Sequence, residues 1–164
     1  MEADRANQPA AGSDTSGPIT RPPLLFLAGL LIGFPLEGLF PLPLPGKALA
    51  HAIAGGGLIV AGLALAHAGI HNFSRAGTSY RSIEPSRTLV TTGVHGWTRN
   101  PIYLGLFLVY GGIGIAAGSG WILILTLPVA ITLHYGVVRR EEVYLERRFG
   151  DAYRDYKARV RRWL

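Results

Sequence analysis

Three stretches of this chain carry no Asp, Glu, Lys or Arg: Pro22 to Leu36, Ala48 to Ser74 and Asn100 to Val138. About 20 predominantly apolar residues cross a hydrocarbon core, so the second stretch has room for one spanning helix and the third for two. The third divides at Gly118-Ser119-Gly120, three small turn-favouring residues ahead of Trp121, a side chain drawn to the membrane interface. This predicts a tight helical hairpin. The first stretch is shorter, and Pro35, Pro41, Pro43 and Pro45 are expected to stop a helix, which places a first span near residues 22–40. The predicted spans are therefore about 22–40, 48–70, 101–118 and 121–138, with a polar loop over 71–100 and a helix over 139–164. A soluble bundle would need polar helix faces, and neither Leu58–Leu65 nor Ile113–Leu127 has one.

The fold class expected is thus an all-α polytopic membrane protein of about four spans, with one membrane-embedded domain over residues 22–164. Residues 1–21 are rich in Ala, Ser, Gly and Pro and carry Glu2, Asp4 and Asp14, which suits a disordered head better than a secretory signal. Composition agrees. Of 164 residues 49% are apolar, which is ordinary, but only 16% are charged against a usual share of about a quarter. The chain has no cysteine, which excludes a disulfide framework, a thiolate metal site and a cysteine nucleophile.

The 16 basic residues give an orientation. Four spans put the head (Arg5, Arg21), the middle loop (Arg75, Arg81, Arg87, Arg99) and the nine basic residues from Arg139 to Arg162 on one side, and Lys47 alone on the other. Three spans would separate the loop from the tail. Both termini and the polar blocks are therefore expected in the cytoplasm, with the chain in the cell (inner) membrane. Gly29 with Gly33, Gly114 with Gly118, and Gly55-Gly56-Gly57 with Ala61-Gly62 offer smooth faces for close helix packing within the molecule. Gly112-Ile113-Gly114-Ile115-Ala116-Ala117-Gly118 follows no strand and lies in a span, so it is no dinucleotide fingerprint. Oligomeric state is not legible.

Candidate chemistry gathers in two blocks. In the first, Asn100 precedes Pro101 at the head of an apolar run, the pattern of an N-cap followed by a helix-starting proline. A helix N-terminus beside Arg99 suits an anionic group such as a carboxylate; equally, Arg99 could simply mark the membrane interface. In the second, Glu141 and Glu142 follow Arg139 and Arg140. Adjacent helical residues point about 100° apart, so one carboxylate should face the protein and the other solvent or an arginine. A ligand hydroxyl, a cation or Arg140 would each satisfy the inward one. Leu145, Phe149, Tyr153, Tyr156, Val160 and Trp163 recur at helical spacing opposite a basic face, which would pack onto the bundle as a lid or lie on anionic headgroups. Such a short tail beside a membrane does not suggest a nucleic-acid partner. His67, His71, His134 and Tyr135 sit near span ends, but no metal-ligand spacing is present and no metal is expected.

These two blocks resemble the signature of the isoprenylcysteine carboxyl methyltransferase family and its relatives, the phospholipid methyltransferases. The matching residues are Thr88-Leu89-Val90, Gly93, His95, Arg99-Asn100-Pro101, Tyr103 and Gly105, then Glu141-Glu142, Leu145, Phe149-Gly150, Tyr153, Tyr156 and Val160. The resemblance covers about residues 75–162. It implies an integral-membrane enzyme that uses S-adenosyl-L-methionine and methylates a small apolar or lipid-like acceptor. It also implies a cofactor site built from Arg87, Thr88, Leu89, Val90, His95, Asn100, Pro101, Ile102, Tyr103, Glu141 and Glu142, with Arg99 and Glu141 at the reaction centre. Under this reading Glu141 faces the ligand and Glu142 faces outward. Tyr135, Arg139 and Arg140 are the residues implied toward the acceptor.

The chain departs from the family pattern at His95, usually Tyr, at Asn100, which is His in the prenylcysteine enzymes, and at Val137, where those enzymes carry Arg. The departures weigh against a prenylcysteine carboxylate as acceptor. Stepwise N-methylation of phosphatidylethanolamine is the alternative reaction, and a non-catalytic membrane scaffold or accessory subunit the alternative from another class.

Overall fold

The computed structural model describes residues 21–78, 86 and 88–164. The expected disordered head up to residue 20, and Arg87 among the site residues, lie outside them. All regular elements among the described residues are helical.

Helix α1 (Pro22–Leu39) starts on two prolines, which suit a first turn because the N–H they lack has no partner there. Pro35 was expected to end a helix, yet it lies inside this one. It removes a single N–H, and regular bonding resumes beyond it, with Phe40 N–H donating to the Leu36 carbonyl at 2.8 Å. Helix α2 (Ala48–Arg75) runs five residues past the expected end of its span. Helix α3 (Pro101–Ala116) and helix α4 (Gly120–Leu133) form the predicted hairpin, turning at Gly118 with φ +64°. A wide π turn, His134–Val138, then leads without a break into helix α5 (Arg139–Phe149). Among the described residues, three helical stretches are long and apolar enough to cross a membrane: Pro22–Leu39, Ala48–Arg75 and the continuous Gly120–Phe149; α3, at 16 residues, is a shorter apolar helix.

Helices α2 and α3 make the most intimate pair, and glycine is the reason. A Cβ placed on Gly55 would lie 2.4 Å from the Gly112 carbonyl oxygen, one on Gly62 2.5 Å from that of Gly105, and one on Gly69 2.8 Å from Ile102. Backbone meets backbone along a seven-residue repeat, an approach that no larger residue permits. Of the smooth face expected on α2, Gly55 and Gly62 are used, whereas Gly56 and Gly57 face open space. Gly29 and Gly33 of α1 receive Tyr110 and Ile122, as their spacing suggests. The apolar core joins Phe26 of α1, Tyr110 of α3 and Ile122, Val129, Leu133, Val137 and Val138 of the last long stretch.

At the hairpin end, Ser119 is fully buried, caps α4 and donates its hydroxyl to Glu37 at 2.6 Å, while the other Glu37 oxygen accepts the Leu42 N–H at 2.7 Å. This bond pattern accounts for a carboxylate at the end of an otherwise apolar helix: the segment after α1 is stitched to the turn between α3 and α4.

The opposite end corrects the expectation of one helix over 139–164. Gly150 adopts φ +54°, ψ −126°, a conformation open to glycine alone, and breaks the helix. A short helix α6 (Asp151–Arg159) follows, and the chain then runs extended. Of the expected apolar stripe, Tyr153 and Tyr156 are buried on α6, but Val160 and Trp163 belong to the extended tail, with Trp163 packed edge-on against Phe107 at 6.0 Å. The tail lies back on the bundle, as a lid would.

Candidate functional site

The site grows from the segment that leads into α3. A single tight turn, Gly93–Gly96, sits against α2; Gly93 has φ +59°, and a Cβ there would lie 2.4 Å from the Asn72 amide. His95 is thereby buried, with Phe73 edge-on to its ring at 4.8 Å, Asn72 Nδ2 3.4 Å from its Nδ1, and its carbonyl accepting the Tyr156 hydroxyl at 2.7 Å. Burial pushes its pKa down to about 4, so the imidazole is neutral at pH 7.

Thr98, Arg99 and Asn100 come next and receive the C-terminal tail. Arg99 N–H donates to the Arg161 carbonyl at 3.0 Å, while the Thr98 hydroxyl and Asn100 Nδ2 both donate to the Arg162 carbonyl, at 3.2 and 2.9 Å. Asn100 occupies the N-cap position of α3, followed by Pro101 as expected, but its side chain does not cap the helix. It is spent on the tail instead.

Two carboxylates from the first turn of α5 meet this corner. Glu141 accepts a hydrogen bond from the Tyr103 hydroxyl at 2.6 Å. Glu142, expected to face outward, is only 13% exposed. Arg162 grips it with two bonds, Nε to Oε1 at 2.8 Å and Nη2 to Oε2 at 2.7 Å, and Arg99 Nη2 approaches Oε1 at 3.3 Å. Glu142 thus forms salt bridges with two arginines distant in sequence. Gly136, Val137 and Val138 of the preceding π turn are all buried, and α5 begins directly after them.

The Arg99–Glu142–Arg162 cluster holds two cations and one carboxylate. Arg99 is 9% exposed, and its Nε and Nη1 are buried with no hydrogen-bond partner among the described residues. Orphaned donors on a buried cation are costly, and an anion would satisfy both. Tyr153 closes one side; burial, with the charge of Glu142 adding to it, pushes its hydroxyl up to about 12, while Arg99 pulls the other way through its charge and through a loose approach to that hydroxyl that falls short of a regular hydrogen bond from Nε or Nη1. The chemistry of this set suits an anionic group, since the unpartnered guanidinium donors match a carboxylate such as the one S-adenosyl-L-methionine carries.

Other expected site residues divide. Val90 is buried, Leu89 half-buried and Thr88 exposed. Pro101 and Ile102 support the α2–α3 contact at Gly69. Tyr135, Arg139 and Arg140 are exposed, and Arg139 stacks over the Tyr135 ring at 5.6 Å, a pair on the outside of the helix rather than part of the Arg99 cluster. The sequence reading missed Arg162. It lies at the end of the second block, past the last matching residue Val160 and in a run of basic residues, and the one available signal was Gly150, which marks where a long helix could fold back.

Residues 50–152 match the phospholipid methyltransferase family, a stretch that contains both Arg99–Tyr103 and Glu141–Glu142. An uncharacterized protein of Haemophilus influenzae is 36% identical over 63 residues, covering 38% of this chain and all of that shorter protein. No solved structure matches. With three apolar helices fit to cross a bilayer and most of its length inside the match, this chain is an integral membrane protein that belongs to the phospholipid methyltransferase family.

Proposed function

We propose that this protein is an S-adenosyl-L-methionine-dependent methyltransferase acting on a lipid-like acceptor, with its site where α3 and α5 begin. The observation that carries the reading is the pair of unpartnered, buried donors on Arg99, which lies inside the stretch that matches the family, in a cluster whose positive charge Arg162 completes from beyond it. When bound, the cofactor supplies a methyl group already activated by a sulfonium. The chain's tasks are then to bind, to align and to exclude water. Arg99 holds a carboxylate, Glu141 accepts hydroxyls while Tyr103 fixes its rotamer, and α6 with the tail shields the corner from water.

Position in the membrane follows from charge. Fifteen of the 16 basic residues fall on one side of a four-span arrangement, the side of the Arg99 cluster, which we assign to the cytoplasm. In this arrangement α3 is the third span in chain order and joins the three longer apolar stretches to make four. At ~24 Å it is short for a bilayer core, and its close partnership with α2 compensates. A polar cofactor reaches the site from the cytoplasm, and the acceptor reaches it from the bilayer.

Val137 favours a phospholipid amine over a prenylcysteine carboxylate as acceptor. It is fully buried in the core, so no guanidinium stands where the prenylcysteine enzymes have one. Membranes containing the protein, supplied with labelled methyl donor and phosphatidylethanolamine, should yield methylated lipid, and Arg99→Ala should abolish it. Intact protein that binds no S-adenosylhomocysteine by calorimetry would overturn the reading in favour of a scaffold role.

A further inference from the structure

Arg162 lies outside the stretch that matches the family, yet it makes a two-bond ion pair with Glu142 at the site. We propose that Arg162 is a positioning residue that keeps Arg99 available for an anionic ligand by occupying Glu142. The proposal deepens the functional reading above and rests on it.

The argument is one of competition for a single carboxylate. Glu142 presents two oxygens, and both are taken by Arg162 in a forked, two-bond geometry, the strongest arrangement available to an arginine and a carboxylate. Arg99 reaches only Oε1, through Nη2, at a longer 3.3 Å. Its remaining donors, Nε and Nη1, therefore stay unpartnered in a buried setting. Were Arg162 absent, nothing would hold Glu142 away from Arg99. The Arg99 guanidinium would turn its own fork onto the carboxylate, its charge would be cancelled, and the donors offered to a ligand would be consumed.

Position and backbone support the assignment. The tail is not held by Arg162 alone: Arg99 N–H, the Thr98 hydroxyl and Asn100 Nδ2 donate to the carbonyls of Arg161 and Arg162, and Trp163 packs against Phe107. The tail is thus anchored on the same three residues that present the cation, and the Arg162 side chain is free to act on Glu142. Hydrogen bonding to Glu142 raises the Arg162 pKa further, so the charge is permanent over the working range of pH.

The test uses two probes and full-length protein in detergent or nanodiscs. S-adenosylhomocysteine carries the amino-acid carboxylate; 5′-methylthioadenosine has the same nucleoside and thioether without it. Calorimetry should show Arg162→Ala binding S-adenosylhomocysteine about tenfold or more weakly while its affinity for 5′-methylthioadenosine stays within about twofold. The double variant Arg162→Ala/Glu142→Gln, which removes the competing carboxylate, should recover most of the lost affinity. If Arg162→Ala does not keep the fold, Arg162→Lys with and without Glu142→Gln poses the same question, since lysine cannot fork onto both oxygens. Equal loss for both probes, or no recovery in the double variant, would overturn the proposal and leave Arg162 a structural residue. Wild-type protein that binds neither probe would overturn the functional reading itself, and this proposal with it.

Discussion

The Tyr103 hydroxyl donates to Glu141 across 2.6 Å and so ties the first turn of α3 to the first turn of α5, the two elements on which the Arg99 cluster stands. Tyr103→Phe leaves a half-buried carboxylate one donor short and should lower stability by about 1–3 kcal/mol, read as a lower thermal midpoint. Glu141→Gln still accepts from Tyr103 and should keep the fold while weakening S-adenosylhomocysteine binding. Unchanged affinity in Glu141→Gln would reassign this carboxylate to structure.

Glycine spacing makes a sharp contrast on one helix. Gly62→Ala places a methyl 2.5 Å from the Gly105 carbonyl oxygen, against backbone that cannot yield, and should cost about 1–3 kcal/mol. Gly56→Ala meets nothing within 4 Å and should be neutral or stabilising by up to about 1 kcal/mol through helix propensity. Thermal melts in one detergent compare the two directly.

Gly150 is the hinge that returns the tail to the site. Gly150→Ala forces a side chain into a glycine-only conformation at a cost of about 1–3 kcal/mol. The cost falls on the α5–α6 junction, so limited proteolysis should cut the region after Phe149 faster than in the wild type. An unchanged digestion pattern would mean that the tail contacts hold without the turn.

His95 predicts a pH dependence. Its pKa falls from about 6.5 in the unfolded chain to about 4 in the fold, because burial disfavours the charged ring. Between these values the unfolded state binds the extra proton, so stability should fall as pH drops from about 6.5 to 4, by on the order of 3 kcal/mol, and stop falling below that window. His95→Asn should flatten this part of the profile; a profile identical to the wild type would show that His95 is not its source.

Topology can be read with single cysteines because the chain has none of its own. In right-side-out vesicles an impermeant thiol reagent should label Lys47→Cys and spare Arg161→Cys until the membrane is opened. Labelling of both from outside would contradict the four-span arrangement.

Helices and their faces were legible because bilayer solvation acts on composition: the charge-free stretches, the Gly118-Ser119-Gly120 turn and the Asn100-Pro101 start can all be found by counting. The site was legible in part. Arg99, Tyr103 and Glu141 stood out through a family pattern, and the structure brings Tyr103 and Glu141 into contact. Glu142 does face arginines, one of the two sequence expectations for the second carboxylate, but in a largely buried corner rather than outward, because its partners Arg99 and Arg162 come from segments far away in the chain.

What sequence determined by itself is whatever depends on local chemistry: where charge is absent, where a helix must start, and on which side the basic residues gather. What only tertiary structure decided is whatever depends on distance between segments far apart in the chain. Gly55 faces Gly112 because α2 and α3 pair in one register, and Arg162 reaches Glu142 because Gly150 folds the chain back. No local propensity encodes either meeting. Both follow from close packing, which selects one arrangement of rigid helices and thereby fixes which charges must share a buried corner.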